Sequence, residues 1–196
     1  DSIGRIAQRR ITDSARAYDP MAVLTHLSEV YQAGDSDLAW TRLTLWRTQL
    51  AALLEQMPYS PVKRVVVWGS EKSPSVVLLG AWLGWKLEAE VHLATIGAAE
   101  RGLYRVAIER EDGQTIMFRP GKNIAIIETP YTPDQQIPLP VRTLADCISE
   151  ELRRLDPDTM YGEVLKSAFP TLEMHSAQCD AEPFLNTSEF PEVFDA

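Results

Sequence analysis

Apolar residues recur along the first third of the chain at steps of three and four. Val23, Leu24, Leu27, Val30 and Tyr31 form one stripe, a spacing that predicts a helix. Asp19-Pro20 opens it with a capping acceptor and a proline at the first helical position, and Gly34 ends it. A second stripe, Ala39, Leu43, Trp46, Leu50, Leu53 and Met57, predicts a longer helix from Asp35-Ser36-Asp37 to the stop at Pro58. Trp40, Arg42 and Arg47 fall off that stripe, which leaves them looking outward. Ahead of both helices, Arg9 to Ser14 reads as a short strand running into a turn.

The periodicity then changes. Arg64-Val65-Val66-Val67-Trp68 is a nearly continuous apolar run, the pattern of a strand covered on both faces. After the polar loop Gly69-Ser70-Glu71-Lys72, Ser73 and Pro74 start a helix that is apolar almost all round and reaches Leu87. Gly80 and Gly84 leave room for a close neighbour. Val91 to Thr95 closes a strand–helix–strand unit, which chirality makes right-handed and parallel. Tyr104 to Glu109 alternates, turns at Asp112-Gly113 and returns as Thr115 to Phe118, an antiparallel hairpin. A strand at Asn123–Glu128 follows, then an irregular proline-rich connection. Amphipathic helices at Leu144–Leu155 and from Asp156-Pro157 to Phe169 complete the pattern. The expected fold is α/β: a mixed sheet, parallel first and antiparallel after, with helices packed on it. Residues 1–169 read as one domain. Residues 170–196, rich in acid and proline and without Lys or Arg, read as an extended or disordered tail.

Composition narrows the function. With 19 Lys+Arg against 28 Asp+Glu the formal charge is −9, which argues against a nucleic-acid groove or an anionic membrane as main partner. The uncharged run from Ser73 to Trp85 is too short to span a bilayer. Two cysteines make no secreted disulfide framework, and the expected compartment is the cytoplasm.

Catalytic constellations are missing. His26, His92 and His175 stand in no metalloprotease or nucleophile-elbow context. His175 and Cys179 have ligand-like spacing but no second pair, so no metal is expected. Gly69, Ser70, Lys72 and Ser73 could cradle a phosphate at a helix start. They match neither glycine-rich phosphate pattern, however, and a plain capped helix start accounts for them as well. Cys147, beside an apolar stripe, reads as a small core residue, and the acids after Cys179 disfavour its thiolate.

The densest unusual segment is Asp35-Ser36-Asp37-Leu38-Ala39-Trp40-Thr41-Arg42-Leu43-Thr44-Leu45-Trp46-Arg47. Asp37, Trp40, Arg42 and Arg47 combine aromatic and guanidinium groups, the mixture enriched at binding hot spots. The same residues could instead hold the helix to its own sheet. This segment resembles the signature helix of the OpcA family, glucose-6-phosphate dehydrogenase assembly proteins. The likeness extends through Ile11-Thr12-Asp13-Ser14 and the Val65–Leu87 strand–helix, covering most of residues 9–95. It implies a non-enzymatic activator, without cofactor, that binds the first dehydrogenase of the oxidative pentose phosphate pathway. The family occurs in cyanobacteria and actinobacteria, and its cyanobacterial branch, which this chain resembles, is associated with thioredoxin-linked redox control. That makes Cys147 and Cys179 redox candidates and thioredoxin a candidate partner. Family members carry a further N-terminal region, so the resemblance implies that this chain is their C-terminal portion. The alternative function is a sugar-phosphate or nucleotide-binding domain using the Gly69–Ser73 loop.

Overall fold

In the computed structural model, which describes residues 7, 9–56, 60–94, 102–130, 132–173 and 175–177, the chain starts with a small parallel ladder. β1 (Ile11–Thr12) pairs with β2 (Ser36–Asp37), and α1 (Pro20–Val30) lies between them in sequence. Asp19 caps α1 as expected, accepting a hydrogen bond from Ala22 N at 3.0 Å.

The long helix expected from Asp35 is divided. It starts only at α2 (Leu38–Thr41), because Ser36 and Asp37 are held in the ladder and the Asp37 carboxylate caps Ala39 N at 2.7 Å. A turn at Arg42-Leu43 then separates α2 from α3 (Thr44–Gln56). There the Thr44 hydroxyl donates to the Thr41 carbonyl at 2.9 Å, a side-chain bond that competes with the helical ladder.

β3 (Arg64–Trp68), α4 (Pro74–Leu87) and β4 (Glu90–Ala94) form the parallel unit, with Val65 opposite Val91 and Val67 opposite Leu93. A Cβ at Gly84 would lie 2.5 Å from a Val91 methyl, and one at Gly80 would lie 3.2 Å from another, so these two glycines seat α4 on β4. The antiparallel part consists of β5 (Arg105–Arg110), β6 (Gly113–Phe118) and β7 (Ile124–Glu128). Gly113, at φ +144°, makes the tight turn of the hairpin.

One strand lies where only an irregular connection was expected: β8 (Gln135–Pro138), paired with β7. Its proline, Pro138 at the strand end, suits an edge, where a missing N–H breaks no inner ladder. α5 (Leu144–Arg153) begins with a capping box at Thr143 and Asp146. α6 (Thr159–Glu163) is capped by Asp158 and runs on into a π turn over Val164–Ala168 and a 3-10 turn over Phe169–Thr171. Within the segment expected to be a tail, β9 (His175–Ala177) pairs in parallel with β4.

The sheet order is β8-β7-β6-β5-β3-β4-β9, a mixed sheet whose parallel and antiparallel halves meet at β3. Val65, Val67, Val106 and Ile108 pack with Leu24, Trp40, Trp46 and the body of α4 into the main core. The alternate positions, Val66, Trp68, Ala94 and Ala107, form a smaller cluster on the opposite face. Among the described residues no helix is long and apolar enough to cross a membrane.

Candidate functional site

Asp37 is the anchor of the signature segment. It is fully buried and accepts from the Thr12 hydroxyl at 2.8 Å, the Ser14 hydroxyl at 3.0 Å and Ala39 N. Burial pushes its carboxyl above the usual range, and these hydrogen bonds offset only part of that. Arg42 makes a two-pronged pair with Asp13, both bonds at 2.7 Å, the geometry that suits a guanidinium best.

Trp40, expected to look outward, is enclosed, with 1% of its surface exposed. Its ring meets Tyr161 at 6.0 Å between centroids, and its Nε1 donates to Asp158 at 3.0 Å. The expected stripe Ala39, Leu43, Trp46, Leu50 and Leu53 is buried, and Trp40 beside it is covered as well because Tyr161 and Asp158 pack on that second side. Arg47 lies over the Trp40 ring, its guanidinium carbon 3.9 Å from the centroid. Burial pulls its pKa down to about 10 despite the attraction of Asp158, and its Nε is buried without a hydrogen-bond partner.

The segment closes on α5 through polar groups. Thr41 donates to Glu151 Oε1 at 2.7 Å and Thr44 to Glu150 Oε1 at 2.9 Å. Arg142 donates to the Thr41 carbonyl at 2.9 Å and pairs with Glu150, while Arg154 bridges Glu150 and Asp158. α5 therefore buries Cys147 and Glu151. On its outward side stand Ile148 at 37% exposure, Leu152 at 69% and, just past the helix, Leu155 at 94%. This helix turns Glu150 and Glu151 inward and leaves Ile148 and Leu152 outward beside the exposed Asp146, Ser149 and Arg153. The i, i+4, i+7 spacing of Ile148, Leu152 and Leu155 was visible in the sequence; which side the fold would cover was not.

The Cys147 thiol is pushed up by burial, only partly countered by Arg142 and Arg42. Cys179 lies outside the described residues. Among the described residues no group of three or more His, Cys, Asp or Glu side chains could hold a metal ion.

Beyond the carboxyl end of β3 lies a cavity of about 160 Å³. Arg16, Arg42, Arg119 and Arg142 line it, drawn from four separate segments. Ser73 of the loop considered for phosphate also faces it, but Gly69, Ser70 and Lys72 are not among the described residues that form its wall. Nothing in the sequence foretold that Arg16, Arg119 and Arg142 would converge, since they are 103 and 23 positions apart in succession.

A family profile described as the C-terminal domain of the glucose-6-phosphate dehydrogenase subunit matches residues 33–165. The chain belongs to that family. Its matched span opens just before the signature segment and closes in the π turn after α6, so it contains Trp40, Arg47, α5 and Asp158 alike. No curated protein matches the chain in sequence. Among solved structures, two crystal structures of KijD10, a 3-ketoreductase from Actinomadura kijaniata, resemble it slightly. One, with NADP and TDP-benzene, gives a TM-score of 0.44 at 10% identity and covers 72% of this chain. The other, with NADP, gives 0.43 at 9% identity with the same coverage. The chain spans 62% and 61% of their lengths. A likeness this slight carries no argument about activity.

Proposed function

We propose that this chain is a non-enzymatic assembly factor and allosteric activator of glucose-6-phosphate dehydrogenase, acting in the cytoplasm within the oxidative pentose phosphate pathway. The observation that supports the reading is the family match across residues 33–165. An activator must bind the active arrangement of its partner more tightly than the inactive one. A coupling of about 1–3 kcal/mol changes the partner's apparent substrate affinity about 5–150-fold.

In this proposal the dehydrogenase docks on the outward stripe of α5. Ile148, Leu152 and Leu155 are exposed together, and the inward groups of that helix are ion-paired and hydrogen-bonded, so the helix cannot turn to hide the stripe. A stable interface buries about 800 Å² on each side. Three side chains supply its centre, and the neighbouring polar surface supplies its rim. Asp37, Trp40, Arg42 and Arg47 serve the contact from inside by fixing α5, not as anchors that touch the partner. A redox role for Cys147 and Cys179, with thioredoxin as partner, enters this proposal only through local opening, because the Cys147 sulfur is covered.

The test is co-purification with the cognate dehydrogenase, followed by an assay at subsaturating glucose 6-phosphate. The chain alone should turn over nothing, yet raise dehydrogenase activity most at low substrate. Leu152→Asp should leave the melting temperature unchanged and abolish both capture and activation. Normal activation by that variant removes α5 from the interface, and turnover by the isolated chain sinks the activator reading.

A further inference from the structure

The arginine-lined cavity is unusual for so acidic a chain. Among the described residues its wall holds four guanidiniums and no carboxylate. Asp13 and Glu150 stand behind the wall. Asp13 grips Arg42 with two bonds and lies 3.9 Å from Arg16, and Glu150 pairs with Arg142. These contacts fix the guanidinium planes of Arg42 and Arg142, while Arg16, 55% exposed, stands at the rim. Arg142 is further held by the Thr41 carbonyl, and Arg119 donates to the Leu103 carbonyl at 3.2 Å.

The rest of the wall is suited to a small polar body. Leu43, Leu103 and Val141 give apolar patches, and Trp46 contributes to the wall with Arg119 above its ring at 5.7 Å. Ser73 sits at the N-cap position of α4 but makes no cap bond with its hydroxyl. The position also suits binding. It lies just beyond the carboxyl end of β3 at the start of α4, where backbone N–H groups of a helix N-terminus favour an anion. Size decides between ligand classes. Sites for drug-sized molecules run from about 300 to 1,000 Å³, and this hollow of about 160 Å³ is too small for a dinucleotide.

We infer that this cavity binds a small phosphorylated sugar, its phosphoryl group held by the four guanidiniums and its carbon body set against Leu43, Leu103 and Trp46. Such a site is separate from the α5 stripe and does not depend on the chain's having a protein partner.

Isothermal titration calorimetry on the 196-residue chain tests it, with glucose 6-phosphate, inorganic phosphate and glucose as probes. Glucose 6-phosphate should bind saturably, more tightly than inorganic phosphate, and glucose should give no heat. Arg16→Ala and Arg119→Ala should each weaken glucose 6-phosphate about 10-fold or more, as loss of a charge-assisted hydrogen bond predicts. Arg16 is 55% exposed, so its variant keeps the fold even where Arg119→Ala lowers the melting temperature. Arg153→Ala, which removes one charge from the exposed end of α5, and Lys72→Ala should bind as wild type. Absence of saturable phosphate binding overturns the inference. So does equal affinity for phosphate and sugar phosphate, or a loss in Arg153→Ala matching that in Arg16→Ala. Binding abolished by Lys72→Ala alone would return the site to the Gly69–Ser73 loop and overturn this one.

Discussion

The indole Nε1 of Trp40 donates to the carboxylate of Asp158 at 3.0 Å, joining residues 118 positions apart. Asp158 also caps α6 through Tyr161 N at 3.0 Å and pairs with Arg154. One carboxylate thus ties the signature segment, the end of α5 and the start of α6. Trp40→Phe removes the bond and also exchanges the indole for a smaller ring at a buried site, so it should cost more than the about 1.5–3 kcal/mol of a hydrogen bond to a charged group. Urea denaturation of Trp40→Phe, Asp158→Ala and the double variant checks it. The double should cost clearly less than the two singles together; simple additivity would show that the bond contributes nothing.

Two carboxylates, Asp37 buried and Asp158 half-buried, give opposite pH signatures. Burial pushes Asp158 up, but the bond from Tyr161 N, the charge of Arg154, and the bonds from Trp40 and Arg154 outweigh it and hold the group below 3.8. Its contribution is present above pH 3.8 and is lost as pH falls through the folded value. Asp37 is raised, mainly by burial, so the folded state holds its proton longer than the unfolded chain does. Stability then falls as pH rises from 3.8 through the folded pKa of Asp37. Asp158→Asn should flatten the acid limb of a stability–pH curve. Asp37→Ala should lose its mid-acid decline, along with much of the overall stability. Two parallel curves from wild type and Asp158→Asn would contradict the assignment.

Parts of this architecture were plain in the sequence and others were not. Val65-Val66-Val67, the Asp112-Gly113 turn and the Ser73-Pro74 helix start are local signals, and each produces the expected element. The late start of the helix expected from Asp35 is not local, because it depends on Thr12 and Ser14 reaching Asp37 from another segment. β8 was hidden by a proline that only an edge strand tolerates. The aromatic and arginine content of residues 40–47 was legible as special. That Trp40 and Thr41 bond inside the fold required Asp158 and Glu151, contributed from more than 100 positions away.

Arg47 separates stem from charge. Its stem and guanidinium cover Trp40 at 3.9 Å, while its buried charge is poorly satisfied. Arg47→Met keeps most of the covering surface and removes the charge, so stability should stay within about 1 kcal/mol of wild type or rise. Arg47→Ala opens a gap over Trp40 and should cost about 2 kcal/mol. Trp46→Ala, in the main core, should cost roughly 3–5 kcal/mol and gives the scale. Binding of the dehydrogenase should fall only in proportion to folding in all three. An Arg47→Ala chain that melts as wild type yet fails to bind would make Arg47 a contact after all.

Cys147 is fully buried and faces inward on α5, and burial raises its pKa above 9.0. Thiolate is the reactive form, so native Cys147 should alkylate only as fast as α5 opens. Iodoacetamide labelling followed by mass spectrometry should show slow modification that accelerates sharply in sub-denaturing urea. Cys147→Ala should cost about 1 kcal/mol from lost packing. Oxidant and thioredoxin should change activation equally in wild type and in the Cys147→Ser/Cys179→Ser double variant. A bridge between the two residues requires Cα atoms within about 7 Å. It also requires the Cys147 sulfur to leave its packed site. If the double variant alone escapes oxidative control, α5 must open to form that bridge. Because the outward stripe lies on the same helix, oxidation would then disturb Ile148 and Leu152 and weaken capture of the dehydrogenase in the same titration.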